Sequence, residues 1–472
     1  MPIRITRQCI FWVFIVTCNV FSQDEPRLYT GEFEVPGLGP MGMTLGVSET
    51  DKGSFLLLTI PLQGLDSLPL AASYTSDGSL TASIEQAELV FTVMENTEFT
   101  ELFGKMEQAG LTFPIEFKRV SEAPMFNRPQ NPVEPYPYTS REISALHPDG
   151  HMLSGTLTVP DGKGPFVCAV LISGSGQQDR NSTVFGHQPF LIIADYLTRS
   201  GIAVLRYDDR GVGGSKMSNP ENLKNATSEN FASDASVMVN AAQLHSDIDP
   251  KRIGVIGHSE GGLIAPMVAS DDDNIAFVAM LAGPGVPGFE LLPLQHAMIL
   301  EAMGVDQELI DNTVNASMSL YEMMMSKASE EELREQLVEV ATVQFEAMDL
   351  SMSEEDFEKT MNEAMQEATS PWMQFFLFYD PGPTLVKLKC PVLAMNGTLD
   401  LQVSSKQNLP AIQKAIQSSG GDITIVELDG LNHLFQPAQT GAVSEYTTIE
   451  TTFDISALQL LTEWILKKTK DD

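Results

Sequence analysis

The stretch at residues 257–261, Gly-His-Ser-Glu-Gly, decides how the rest of this chain is interpreted. It follows a β-branched run, residues 253–256, and precedes an apolar run, residues 263–269, that is typical of a helix. A serine on a tight strand-to-helix turn is the nucleophile-elbow pattern, in which Oγ is exposed at the carboxyl end of a sheet. Glycines flank it because two backbone segments come too close for Cβ atoms, and a strained backbone is expected at Ser259. The alternative is a glycine-rich turn that merely contains serine.

Length and composition limit the classes of protein to consider. A chain of 472 residues is too long for one compact core, so two or three domains are expected. The content of 43% hydrophobic and 19% charged residues is that of an ordinary globular protein. The net charge of -35, from 28 basic and 63 acidic residues, argues against nucleic acid and against an anionic membrane surface as partners.

Residues 1–22 have the pattern of a cleaved signal peptide, which predicts a secreted or periplasmic protein. Arg4 and Arg7 form the positive start, and the apolar run after them is too short to span a membrane. A lipid anchor at Cys18 is the alternative, and it is disfavoured because Thr17 is a poor residue before a lipidated cysteine.

Two cysteines, Cys168 and Cys390, remain after the signal, each in an apolar, strand-like segment. Two buried free thiols are therefore expected, without a disulfide framework. The sequence contains no Cys/His cluster spaced for a metal. The glycine-rich run at residues 206–215 lacks the lysine and hydroxyl residue of a phosphate-binding loop, and no cofactor is predicted.

The pattern along the chain predicts an α/β protein with a small additional β domain. Short alternating runs separated by turns indicate an antiparallel sheet, whereas continuous apolar runs that alternate with helical segments indicate a mostly parallel sheet with helices on both faces. The predicted order is a signal peptide at 1–22, an N-terminal β domain at 23–122, a Pro-rich linker at 123–139, an α/β core at 140–283 and 381–472, and a helical cap at 284–380.

The predicted cap is rich in methionine and in acidic residues. It holds 11 of the 23 methionines, and residues 301–368 carry 18 acidic side chains against three basic ones. An insertion at this place would lie over Ser259, with the methionines either lining an adaptable pocket or forming the cap's own core. Trp372, Phe375 and Phe376 are the candidates for the pocket wall.

A serine hydroxyl is a weak nucleophile at neutral pH and requires a base that a third group orients. His433 follows a strand-like run near the C-terminus, and Asp400 follows another strand end, with Asp429 as its rival. The order Ser259, Asp400, His433 is that of the α/β-hydrolase triad, and the long gap before Asp400 holds the cap.

The oxyanion formed during acyl transfer needs two preorganised N–H donors. One is the amide of Glu260, directly after the nucleophile. The other is expected in the loop after the strand that ends at residue 173, at the amide of Ser175, with Gly176 or Gln177 as alternatives.

Two charged features near the elbow require an interpretation, an ion pair in the neighbouring loop and the Glu260 carboxylate. An Asp–Arg ion pair within the run at residues 206–215 is expected to fix this loop beside the elbow. The Glu260 side chain either pairs with Arg210 or presents its carboxylate to a cationic substrate amine.

Together these motifs resemble the α/β-hydrolase superfamily, and most of all its bacterial carboxylesterase and serine-aminopeptidase-like branch, in which a small β domain and a Pro-rich linker precede the hydrolase. The matching motifs are Arg128-Pro129-Gln130, Ser173-Gly174-Ser175-Gly176, the run at 206–213, the elbow at 257–262, Ala282-Gly283-Pro284-Gly285, Asp400-Leu401-Gln402-Val403 and Asn432-His433-Leu434-Phe435. The resemblance implies a carboxylesterase for short-acyl esters. Gln177 departs from the proline that such sequences often have.

Three functions stay open at this point. Ester hydrolysis through an acyl-enzyme on a small-molecule ester is the leading one, a serine exopeptidase with the same triad is the second, and a non-catalytic binding protein is the third. Epoxide hydrolases and dehalogenases are disfavoured because their similar elbows carry aspartate. A monomer and a homodimer are both compatible with the sequence.

Overall fold

The structure is a computed structural model. It describes residues 26–470 except 36–38, 51–52, 61–64, 85–86, 88, 109–110, 123–126, 218, 220 and 348–352. The predicted signal peptide, with the alternative anchor Cys18, lies outside the described residues.

The N-terminal part is a closed antiparallel barrel of eight strands. Its strands are β1 Arg27–Val35, β2 Gly39–Thr50, β3 Gly53–Ile60, β4 Leu65–Tyr74, β5 Leu80–Ile84, β6 Leu89–Glu95, β7 Glu101–Gln108 and β8 Leu111–Val120. Pairing of Leu28 with Val120 closes the barrel between β1 and β8. In β6, burial alternates along the strand because every second side chain points into the barrel.

The second part is built on an eight-stranded mixed sheet. Its strands are β9 Tyr138–Leu146, β10 Met152–Pro160, β11 Phe166–Ile172, β12 Ala203–Tyr207, β13 Ile248–His258, β14 Val278–Leu281, β15 Val392–Gly397 and β16 Ile423–Leu428. They lie in the order β16-β15-β14-β13-β11-β12-β10-β9. The strands from β11 onward pair in parallel, and β10 joins both its neighbours antiparallel.

Helices cover both faces of this sheet. They are α1 Pro189–Arg199, α2 Glu221–Lys224, α3 Ser228–Gln243, α4 Glu260–Asp271, α5 Gly288–Ala302, α6 Gln307–Met325, α7 Glu330–Ala347, α8 Glu354–Ala368, α9 Pro371–Phe378, α10 Gly382–Leu385, α11 Ser405–Ser418 and α12 Ile455–Lys468. Leu197 of α1 and Trp464 of α12 belong to the core on one face. Val239, Leu263 and Ile412 of α3, α4 and α11 belong to the core on the other.

Helices α5 to α10 form the insertion between β14 and β15. Helices α5 to α9 lie within residues 284–380, the range predicted for the cap, and α10 lies just after it. Met324, Met361 and Met373 are buried in the same core cluster as α3 and α4. These methionines therefore form part of the protein's core. Others, such as Met318 and Met325, are exposed.

The barrel packs directly against the second part. Its apolar core continues onto Phe185, Leu434 and Tyr446, which belong to loops of the mixed-sheet part. Leu434 directly follows the candidate base His433, so the barrel contacts the loop that carries it.

The predicted fold class is confirmed: a small antiparallel β domain precedes an α/β sheet with a helical insertion. Cys168 and Cys390 are free, but only Cys168 is buried and Cys390 is half-buried, so the prediction of two buried thiols was half wrong. Within the described ranges, every helix is either too short or too polar to cross a bilayer.

Candidate active site

Ser259 lies between β13 and α4 on the predicted tight turn. Its φ of 57° and ψ of -123° are the strained backbone expected of an elbow. A Cβ at Gly257 would lie 1.8 Å from the carbonyl oxygen of Gly261, and one at Gly261 would lie 2.2 Å from that of Ile172. Both glycines are therefore required by close backbone contacts.

Asp400 and His433 are hydrogen-bonded at the carboxyl ends of β15 and β16. The distance from His433 Nδ1 to Asp400 Oδ2 is 2.9 Å, and both residues are buried. Asp400 Oδ1 accepts the main-chain N–H groups of Gln402 and Val403, each at 2.9 Å. Since the ionised carboxylate accepts hydrogen bonds only, Nδ1 of His433 carries the proton and Nε2 is left as the basic nitrogen.

The rival acid, Asp429, is exposed and accepts a hydrogen bond from the Thr398 hydroxyl at 3.2 Å. The structure therefore pairs Asp400, and not Asp429, with His433.

His258 connects the elbow to the loop of His433. Its Nε2 donates a hydrogen bond of 2.8 Å to the main-chain carbonyl oxygen of His433, and the two ring centroids lie 4.8 Å apart. Among the described residues, the Ser259 hydroxyl has no hydrogen bond to His433 Nε2. Such contacts between nucleophile and base often tighten only when substrate binds.

The two predicted oxyanion donors lie in segments that meet at the elbow. Glu260 begins α4, whose first N–H groups lack partners within the helix. On the other side, a Cβ at Gly174 would lie 3.0 Å from the Cβ of Ser259, so the loop that holds Ser175 touches the nucleophile.

The aspartate at position 209 holds both ends of this loop, a role that the sequence did not reveal. Its Oδ1 accepts the hydroxyl of Ser173 at 2.6 Å and its Oδ2 accepts the amide of Gln178 at 2.8 Å. Burial raises the pKa of Asp209 to about 7, against the lowering effect of these hydrogen bonds. The one feature that could have indicated this role of Asp209 is its position just after β12, the strand that pairs with β11.

Comparison with known proteins shows what this chain is similar to. The family model described as serine aminopeptidase S33 (Hydrolase_4) matches residues 188–344, which is less than half of the chain but includes β13, the elbow and α4. The strand order and the helices on both faces of the sheet agree with this match. The chain has the α/β-hydrolase fold.

A curated relative of this α/β-hydrolase is Esterase EstD of Thermotoga maritima, 25% identical over 326 residues. The match covers 69% of this chain and 66% of the relative, so the chain spans just under two thirds of the relative's length. Similar solved structures include a dienelactone hydrolase from Anabaena variabilis (15% identity, 70% of this chain, 99% of that chain, TM-score 0.39). They also include the Pyrococcus furiosus esterase Pf2001 (14% identity, 70% of this chain, 91% of that chain, TM-score 0.42).

One of the two predictions for the Glu260 side chain, an ion pair with Arg210, is wrong, because Arg210 pairs with Asp234. Glu260 Oε1 accepts the hydroxyl of Ser228 at 2.7 Å and the indole Nε1–H of Trp372 at 2.9 Å. Glu260 is buried. One carboxylate therefore joins the elbow, α3 and helix α9 of the insertion.

The predicted Asp–Arg pair in the run at residues 206–215 also has different partners. Asp208 pairs with Arg180 of the preceding loop, with a shortest N–O distance of 2.8 Å. Arg210 pairs with Asp234 of α3 at 2.7 Å. The run is thus fixed by ion pairs to its surroundings and not by a pair within it.

A small pocket opens beside the elbow of the α/β-hydrolase. Side chains and backbone from the ends of β11 and β12 and from α3 and α4 form its wall: Ile172, Ser173, Gly174, Gly176, Tyr207, Asp209, Phe231, Glu260 and Ile264. Trp372 reaches this wall through Glu260 and stacks on Phe376, with ring centroids 5.4 Å apart. Phe375 stacks on Tyr379 at 5.0 Å instead, and a role of Trp372, Phe375 and Phe376 in substrate binding stays a prediction.

One group of potential metal ligands was not expected from the sequence. His147, Asp149 and His151, at the turn between β9 and β10, have potential ligand atoms within 4.8 Å of one another. The two imidazoles are stacked, with centroids 4.3 Å apart and an angle of 19° between their planes. An imidazole binds a metal through a ring nitrogen and in the plane of its ring, so two nearly parallel rings are poorly oriented to share one ion.

Both histidines of this group have other partners. His147 Nε2 lies 2.8 Å from the Ser233 hydroxyl, and His151 Nε2 lies 2.8 Å from Asp234. Burial lowers the pKa of His147. We interpret the group as a polar cluster that extends the Asp234–Arg210 ion pair.

Proposed function

We propose that this α/β-hydrolase is a serine hydrolase that cleaves carboxylic esters, with short acyl chains preferred. The observation that carries the proposal is the buried Asp400–His433 hydrogen bond of 2.9 Å at the same sheet edge as the strained Ser259. The name of the Thermotoga maritima relative is consistent with this activity.

The proposed reaction uses these residues in two half-reactions. Ser259 Oγ attacks the ester carbonyl carbon while its proton passes to His433 Nε2, and the amides of Glu260 and Ser175 bind the resulting oxyanion. The intermediate collapses to an acyl-enzyme as the alcohol leaves with the proton from His433. Water then attacks the acyl carbon in the same way, which releases the acid and restores Ser259. Asp400 orients the imidazole and stabilises its protonated form.

The test is hydrolysis of p-nitrophenyl acetate and butyrate by the wild type and by Ser259→Ala. We expect the variant to lose turnover while its circular dichroism spectrum and melting temperature stay those of a folded protein. Undiminished turnover in Ser259→Ala would remove the assignment of the nucleophile. A series of acyl chain lengths tests the preference for short chains.

A serine exopeptidase is the second candidate, because the family model carries a serine aminopeptidase description and two carboxylates, Asp209 and Glu260, line the pocket. Aminoacyl-naphthylamides compared with simple esters separate the two activities. If the protein hydrolyses esters but not aminoacyl-naphthylamides, the proposal of an exopeptidase is wrong.

A non-catalytic binding protein is the remaining candidate. Covalent labelling of Ser259 by a fluorophosphonate probe would exclude it. We also propose that the mature protein is secreted or periplasmic, from the signal pattern at residues 1–22, and a fractionation experiment with the full-length chain tests this.

A further inference from the structure

The barrel reaches the candidate active site through Tyr446, which lies in the short 3-10 helix Val443–Thr447. Strand β2 of the barrel contacts this helix. The Tyr446 side chain is buried and belongs to the same apolar cluster as the interior of the barrel, together with Phe185 and Leu434. Its ring meets that of Phe185 edge-on, with centroids 5.9 Å apart. The barrel core therefore holds the ring of Tyr446 in place.

The hydroxyl group of Tyr446 is linked to the candidate catalytic acid. Its oxygen accepts a hydrogen bond of 3.1 Å from Nε2 of Gln402. The main-chain N–H of Gln402 donates to Asp400 Oδ1 at 2.9 Å. Burial raises the pKa of the Tyr446 hydroxyl and the nearby charge of Asp400 raises it further, so this hydroxyl stays neutral. Gln402 thus joins Tyr446 to Asp400 through its side chain and its main chain.

The main chain of Tyr446 is held as well. The buried His187 has its Nε2 3.0 Å from the carbonyl oxygen of Tyr446 and its Nδ1 2.9 Å from the hydroxyl of Thr452. Burial lowers the pKa of His187 to about 4, so the ring is neutral and carries one proton. Because a carbonyl oxygen only accepts, that proton is on Nε2 and the Thr452 hydroxyl donates to Nδ1. Both ends of Tyr446 are therefore fixed.

We propose that Tyr446 and Gln402 are positioning residues, through which the barrel holds the turn of Asp400 in place. Both residues act through Asp400, which orients His433. The barrel is then a working part of the active site and not an independent binding module. The inference rests on the proposed ester hydrolysis at Ser259.

The physical reason is the precision that a triad requires. Catalytic groups have to be held within about 0.5 Å of their productive positions by packing and by hydrogen bonds of the residues behind them. The amides of Gln402 and Val403 bind the Asp400 carboxylate, so this carboxylate moves with the turn at residues 400–403. A hydrogen bond from that turn to a side chain packed in the barrel core restricts this movement. Loss of one such bond changes a rate roughly three- to tenfold.

The experiment measures kcat for p-nitrophenyl butyrate in Tyr446→Phe and Gln402→Leu. Tyr446→Phe keeps the ring in the apolar cluster and removes the acceptor of Gln402 Nε2, and Gln402→Leu removes the donor. We expect kcat to fall roughly three- to tenfold in each. The double variant should lose no more than the weaker of the two single variants, because both changes remove the same hydrogen bond. Losses that multiply in the double variant would overturn the proposal.

The dependence of kcat/KM on pH identifies the route of the effect. Its acidic limb reports the protonation of the free base, His433. An Asp400 carboxylate that is held less closely stabilises the protonated imidazole less, so the acidic limb should move to lower pH in Tyr446→Phe. A fall in kcat with an unmoved acidic limb would show that Tyr446 does not act through Asp400, and would overturn the proposal.

Tyr29→Phe is the matched control. Tyr29 is fully buried in the same cluster, and its hydroxyl donates to Glu95 of the barrel at 2.5 Å. This variant also removes a buried hydroxyl from the barrel, so it should lower the melting temperature but leave kcat and the acidic limb unchanged. An equal fall of kcat in Tyr29→Phe would mean that any loosening of the barrel has this effect, and would overturn the specific role of Tyr446.

The outcomes distinguish this inference from the function on which it rests. The rate of Ser259 labelling by a fluorophosphonate is measured in the same proteins, because this reaction needs the triad but no ester substrate. A wild type that is labelled but hydrolyses no ester contradicts ester hydrolysis, and slower labelling of Tyr446→Phe and Gln402→Leu then still supports the positioning role. A wild type that is neither labelled nor active contradicts both. Wild-type kcat and labelling rates in both variants overturn the positioning role and leave ester hydrolysis standing.

Discussion

His258 Nε2 donates a hydrogen bond of 2.8 Å to the main-chain carbonyl oxygen of His433. Burial lowers the pKa of His258 to about 3, so its ring is neutral wherever a histidine base can act, and the carbonyl requires that Nε2 carries the proton. The residue before the nucleophile thus fixes the backbone of the candidate base without placing a second positive charge beside it.

Replacement of His258 by phenylalanine should lower kcat about tenfold, because the ring is kept but the hydrogen bond to the His433 loop is lost. Steady-state kinetics with p-nitrophenyl butyrate measures this. His245→Phe, at a histidine that precedes β13 at the far end of the sheet, is the control and should have wild-type kinetics. Equal kcat values for the wild type and His258→Phe would contradict a positioning role.

Asp400→Asn should lower kcat by roughly a thousandfold or more, because an amide cannot hold His433 in the tautomer with a free Nε2. The amide oxygen can still accept the N–H groups of Gln402 and Val403, so the melting temperature should change little. Asp429→Asn is the matched control. Loss of activity in that variant instead would reverse the choice between the two acids.

Asp209→Asn should change how stability depends on pH. The pKa of Asp209 is about 7 in the folded chain against an ordinary value of 3.8, so between these pH values the folded state keeps a proton that the unfolded chain has released. Stability from this group is therefore present at low pH and is lost as pH rises toward 7, by up to about 4 kcal/mol.

The measurement is urea unfolding of the wild type and of Asp209→Asn from pH 4 to pH 8. Burial lowers the pKa of His187 to about 4, and this histidine contributes a stability change of the opposite sign, so the difference between the two proteins is the relevant quantity. We expect the advantage of the variant to grow with pH across this window. A constant difference would show that Asp209 does not titrate there.

Gln130→Ala should destabilise the protein by about 2–3 kcal/mol, from the loss of three half-buried hydrogen bonds. The Gln130 side chain donates to the carbonyl of Phe453 at 2.7 Å and accepts the amides of Thr452 and Phe453 at 2.6 and 3.0 Å. Phe453 in turn stacks on Phe435, two residues after His433, with ring centroids 5.1 Å apart.

Because of this stack, we expect kcat to fall in Gln130→Ala as well. Val133→Ala, at a side chain that is 80% exposed in the same linker, should match the wild type in urea unfolding and in kinetics. A loss of stability without any loss of kcat would mean that the linker does not act on the His433 loop.

Local patterns in the sequence were sufficient for the architecture and for the candidate residues. The turn at residues 257–261 can be predicted from the sequence, since its glycines and the strand and helix on either side of it are neighbours in the chain. The strand-like run before His433 is strand β16, residues 423–428, in the structure, because such a pattern is a local property of the sequence.

Partners that are far apart in the chain required the tertiary structure. Arg210 pairs with Asp234 and not with Glu260, and Trp372 reaches Glu260 from 112 positions away. Such pairings depend on which side chains the sheet order and the packing of α3 and α9 bring within hydrogen-bond distance. The sequence likewise only favoured Asp400 over Asp429, and the hydrogen bond to His433 in the structure separates the two.

The elbow sequence by itself determined that Ser259 stands on a strained turn at the end of a buried strand, because that geometry follows from its glycines and its flanking segments. Only the tertiary structure decided what surrounds this serine: the Asp400–His433 pair, the His258 contact that holds it, and the acidic pocket of Asp209 and Glu260. These surroundings come from the ends of several strands that are distant in sequence, and only the folded sheet brings those ends to one edge.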